Sequence, residues 1–113
     1  MRAEYLKYLH DVSQAADAVA EFCAGETFER YVENVLLRSA VERQIGIAGR
    51  ALAQLRMIGP DAFSRISNAA QIVDVGDILI VGYANDNTRL VWQIVAEDLA
   101  VLRLAVRQLL EEN

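Results

Sequence analysis

A single proline, Pro60, interrupts 113 residues. A chain so poor in proline keeps its backbone N–H donors, so long helices can run without a break. The apolar residues follow the helical period. Over residues 2–23 they fall at Tyr5, Leu9, Val12, Ala16, Val19 and Phe22 or Cys23, in steps of three or four that line one helix face. Gly25 is placed to stop that helix. Thr27 is placed to cap a second start, with Arg30 where a capping box would carry Glu. A short helical piece through Phe28, Tyr31 and Val32 leads into a long helix near residues 35–57, striped by Leu37, Val41, Ile45, Ala48, Leu52 and Leu55. Gly46 and Gly49 sit one turn apart within it. Each costs about 1 kcal/mol relative to Ala in an exposed helix. Close contact with a neighbouring helix would offset that cost; simple tolerance is the alternative.

Gly59-Pro60 marks a turn, with Pro60 set to start a short helix through Phe63. The stretch from Ile72 to Val81 is ambiguous: its β-branched and apolar residues run almost unbroken, and local propensity alone reads a buried strand. Asn85, Asp86, Asn87 and Thr88 form a cluster of turn and capping residues. A final helix is expected from about Thr88 to Leu110, striped by Val91, Val95, Asp98 or Leu99, Leu102, Val106 and Leu109. The expectation is one all-α domain over residues 1–113, an up-and-down bundle of four to five helices.

Composition narrows the function classes. Hydrophobic residues make up 54% of the chain, rich for a small domain, and the surplus points to a homodimer with a buried interface. The net charge is −5, so a domain that grips nucleic acid through general basic charge is excluded, and any RNA contact needs a local patch. The basic residues are nearly all Arg, the better bidentate phosphate ligand, with Lys7 the one Lys. The lone Cys23 cannot form an internal disulfide and is expected to be buried and inert. That fits a reducing, cytoplasmic location. Acidic residues break every apolar segment too often for a membrane span.

Residues 72–83 end in Ile78-Leu79-Ile80-Val81-Gly82-Tyr83, followed by Val91-Trp92-Gln93-Ile94-Val95 and Asp98-Leu99. This segment resembles the signature of the HepT-like branch of the HEPN superfamily. That signature has an Arg, four residues, a His, one residue and a Tyr, shortly before a Val-Trp on the last helix. Tyr83 and Val91-Trp92 match it, whereas Gly76 stands at the Arg position and Val81 at the His position. The resemblance extends to Ala40-Val41, Arg43, Gly49 and Ala51 on the second long helix, where Arg50 replaces a Glu. Tyr8-Leu9, Asp11, Phe28 and Tyr31 fit as well. The resemblance reads residues 72–83 as helix. It also implies the toxin half of a toxin–antitoxin pair: a homodimeric, metal-independent and cofactor-free ribonuclease whose partner is a minimal nucleotidyltransferase. That antitoxin can transfer AMP to the motif Tyr, which makes Tyr83 the candidate modification site; a Tyr covering the end of a core helix is the alternative.

Cutting RNA without a metal needs a base for the 2′-hydroxyl proton, an acid for the leaving oxygen and a cation for the phosphorane charge. Each acid–base role is worth roughly 10²–10⁴ in rate. Val81 has no proton to move and Gly76 has no side chain. The only His, His10, lies on the first helix and reads as a surface or packing residue. Asp74 and Asp77 are one turn apart; they form an acid–base pair, a metal site or, more simply, a solvated acidic face. Arg43 and Arg50 lie on one helix face, either as phosphate ligands or as partners of carboxylates. Three readings follow. In the first, the chain has a degenerate ribonuclease site and acts as a dimeric partner of a nucleotidyltransferase. In the second, it is an active ribonuclease toxin using Arg43, Arg50 and Asp77. In the third, it is a plain helical structural domain.

Overall fold

The computed structural model describes residues 2–81 and 86–112. The first apolar stripe folds as α1 (Arg2–Cys23), burying Leu9, Val12, Ala16 and Val19. It ends at Gly25, whose φ of +76° is the only positive value among the described residues. The Thr27 hydroxyl accepts a hydrogen bond from the Arg30 amide at 3.2 Å and opens α2 (Phe28–Glu33). Asn34 caps α3 (Val35–Ile58) in the same way, its Oδ1 accepting from the Leu37 amide at 3.0 Å. Sequence analysis assigned no cap there. Pro60 starts α4 (Pro60–Ser64) as its fixed φ favours.

The ambiguous apolar stretch is helical and forms most of α5 (Ala69–Val81). Ile72, Val73, Val75 and Gly76 are buried, whereas Asp74 and Asp77 are exposed. Packing against α3 overrides the β propensity of this run, and no strand exists among the described residues for it to pair with.

The last rod contains a feature that the sequence reading did not anticipate. It begins as α6 (Thr88–Gln93), widens into a π-helical turn (Ile94–Asp98) and resumes as α7 (Leu99–Glu111). Its buried residues are Val91, Ile94, Leu99, Leu102, Val106 and Leu109. The step of five from Ile94 to Leu99 does not suit an α-helix, and the π turn absorbs the extra residue so that one stripe still faces the core. Val95, placed on the stripe from sequence, is only half-buried.

These rods make an all-α bundle. α3 packs against α1 on one side and α5 on the other, and α1 also packs against α7. Among the described residues the core holds no polar group apart from the Tyr31 hydroxyl and the Cys23 thiol. The bundle measures 43 × 29 × 19 Å, so it is thin in one direction, about two helix diameters.

Candidate functional site

The site grows from the crossing of α3 and α5. Gly49 and Gly76 face each other there, and both are buried. A Cβ at Gly76 would lie 3.3 Å from the Gly49 Cα, and one at Gly49 would lie 3.0 Å from the Ile72 carbonyl oxygen. Both obstacles are backbone, so they cannot swing aside as a flexible side chain would. The close contact weighed for the α3 glycines is therefore real at Gly49. At Gly46 a Cβ would meet nothing within 4 Å.

Beside this crossing lies an open groove of about 740 Å³, walled by α3 and closed by Leu79 and Ile80 at the end of α5 and by Tyr8 of α1. Arg43 and Arg50 both line it, as their seven-residue spacing on α3 requires. Both are exposed, and among the described residues neither has an ion-pair partner. Glu42 adds one negative charge to the rim, and Gly46 and Ile47 form part of the floor.

The other candidates stand apart from the groove. Asp74 and Asp77 are exposed on α5, and neither lines it. No group of three or more His, Cys, Asp or Glu stands together as a metal site among the described residues. His10 is exposed. Cys23 is buried, and desolvation, helped by the nearby Glu26 charge, pushes its thiol pKa above the ordinary 9.0. Tyr83 and the side chain of Val81 lie outside the described residues.

A family model described as Ribonuclease HepT-like matches residues 12–109. The chain belongs to the HepT-like ribonuclease family. A relative named "putative RNase" from Methanocaldococcus jannaschii is 30% identical over 101 residues, covering 88% of this HepT-like chain and 90% of that protein. A relative named "Probable ribonuclease HepT" from Thermococcus cleftensis is 26% identical over 106 residues, covering 91% and 93%. A second Methanocaldococcus jannaschii protein, named "Gamma-glutamylcyclotransferase and putative RNase", is 26% identical over 112 residues. There the match takes in 99% of this chain but only half the length of the relative. No solved structure matches.

In the HepT-like chain the signature residues Val91 and Trp92 act as framework. Val91 is fully buried. The Trp92 ring packs on Tyr31 at 5.1 Å and on Phe28 at 6.3 Å, which ties α6 to α2. Arg89 lies over the Phe28 ring at 4.7 Å. Asp98, the last residue of the π turn, accepts a hydrogen bond on its backbone oxygen from the Asn68 side chain at 2.8 Å and on its carboxylate from Gln71 at 3.1 Å. The signature thus clamps the last rod to the start of α5. Sequence reading missed Tyr8, Glu42 and Leu79 as groove residues. Only their half-buried place beside the buried stripe hinted at them.

Proposed function

We propose that this HepT-like chain carries a degenerate ribonuclease site and acts as a dimeric binding partner of a minimal nucleotidyltransferase, in the manner of a toxin–antitoxin pair. The contact between Gly76 and Gly49 carries the reading. Position 76 is where the family signature has its Arg, and here it lies against the α3 backbone with a Cβ distance of 3.3 Å. An Arg there would have to push α3 and α5 apart. The missing cation therefore goes with a helix packing tight enough to strain against any Cβ at that position. Val81 stands at the His position, and an aliphatic side chain cannot serve as acid or base. Tyr83 is the residue on which the partner would act.

A second reading, an active ribonuclease using Arg43, Arg50 and Asp77, draws support from the unpaired arginines of the groove. It is the weaker one, because Asp77 does not line that groove.

RNA cleavage by the purified chain, in the presence of a chelator, tests both. The degenerate reading expects intact RNA, and co-purification with a nucleotidyltransferase encoded beside the chain. Cleavage that disappears in Arg43→Ala or Asp77→Ala would overturn it in favour of the active enzyme. Restoring the signature with Gly76→Arg is a poor test, because the substitution disturbs the helix crossing itself.

A further inference from the structure

The groove beside α3 has three properties that belong together. Its wall carries Arg43 and Arg50, both exposed and with no carboxylate partner among the described residues. Its floor is apolar, with Ile80 63% exposed and Leu79 half-buried beside Ile47. Gly46 lines it with open space above, at a helix-interior position where glycine costs about 1 kcal/mol and no internal contact calls for it.

We propose that this groove receives an amphipathic helix of a protein partner. The apolar face of that helix lies on Ile47, Leu79 and Ile80, and two acidic residues seven apart face Arg43 and Arg50. The inference rests on the reading of the chain as a binding partner. Charge and shape select this occupant. The α3 wall from Ser39 to Gln54 rises roughly 22 Å, the length of about four helical turns. Residues seven apart on the docked helix repeat at roughly 10.5 Å, the same rise that separates Arg43 from Arg50. The bare Cα at Gly46 allows a helix backbone to approach closely. RNA suits the groove less well: the chain carries a net charge of −5, Glu42 sits on the rim, and among the described residues Tyr8 is the only aromatic ring lining it. An apolar floor with flanking charges is the helix-in-groove mode of recognition.

The test uses the full chain and a labelled synthetic peptide of about 16 residues, roughly 24 Å as a helix, with Leu at helical spacing and two Glu seven apart. Fluorescence anisotropy reads binding, with a single-stranded RNA oligonucleotide as competitor, and RNA cleavage is followed on the same samples. Binding is expected to weaken at least tenfold in Arg43→Glu and in Arg50→Glu. A peptide with Lys in place of the facing Glu should regain most of the loss against the reversed variant, which a merely structural effect would not allow. Gly46→Leu should block binding while leaving the melting temperature of the chain unchanged or higher. The inference is overturned if the peptide does not bind, or if it binds equally to all three variants. RNA that occupies the groove in an Arg43- and Arg50-dependent way while the peptide does not would also overturn it. So would light scattering that shows Gly46→Leu turning a dimer into a monomer, since the occupant is then a second copy. Cleaved RNA would instead count against the degenerate-site reading, so the two failures are distinguishable.

Discussion

Tyr31 is fully buried, and its hydroxyl has no hydrogen-bond partner among the described residues. Burial, reinforced by the Glu42 charge, pushes that hydroxyl well above the ordinary 10. An unpaired buried hydroxyl costs stability, so Tyr31→Phe is expected to raise unfolding free energy by about 1 kcal/mol at neutral pH. The pH dependence has a definite sign. The folded chain keeps the neutral hydroxyl while the unfolded chain ionises near 10, so stability is full below that pH and falls as pH rises above it. Denaturant titrations across alkaline pH should show this loss in the parent and a smaller one in Tyr31→Phe. The α3 glycines diverge in the same assay. Gly46→Ala should stabilise by up to about 1 kcal/mol, since its Cβ meets nothing within 4 Å. Gly49→Ala should destabilise by roughly 1–2 kcal/mol, because its Cβ falls 3.0 Å from a backbone oxygen. The two glycines look alike in sequence, and only the position of α5 separates them.

At the scale of elements, most of the helices were legible. The stripe of α1, its stop at Gly25, the Thr27 cap and the Pro60 start depend on local chemistry that the sequence carries openly. The π turn was not. Ile94 and Val95 are equally apolar neighbours, and choosing Ile94 as the buried one needs the core against which the rod packs. α5 was readable as helix only through family resemblance, because its composition argues for a strand. The caps allow a direct check: Thr27→Ala should cost about 1 kcal/mol, seen as a lower melting temperature. A longer-range tie joins the end of α4 to the end of α7, where Arg65 donates from Nη1 and Nη2 to the two carboxylate oxygens of Glu112, the Nη1 contact at 2.6 Å. Arg65 keeps the Glu112 carboxyl below its ordinary 4.5. Its contribution is present above that value and lost as pH falls further. Melting curves of the parent and Glu112→Gln should therefore differ slightly at neutral pH and converge in acid; the pair is half-exposed, so the difference is small.

The whole molecule is a slab 19 Å thick, and a slab leaves apolar surface uncovered. Leu36 is 82% exposed, Met57 77% and Val35 65%. Scattered exposed residues are ordinary; the homodimer expected from composition would cover some of this surface. Light scattering should give twice 12.6 kDa, and Leu36→Glu should shift the mass towards the monomer if that face is the interface. The groove was half legible. Seven-residue spacing placed Arg43 and Arg50 together, but the helix end that closes the groove comes from a segment some thirty residues later, and sequence spacing carries no information about that meeting.

The meeting of Gly49 and Gly76 also limits what each of the two positions accepts. Two helices at glycine distance must give by a few tenths of an ångström before either position takes a Cβ. A side chain at position 76 therefore meets a packing cost before any charge it carries can act. A slightly wider separation of α3 and α5 would relieve it. The contact works as a mutual constraint: a larger residue at position 49 narrows what position 76 accepts, and the reverse.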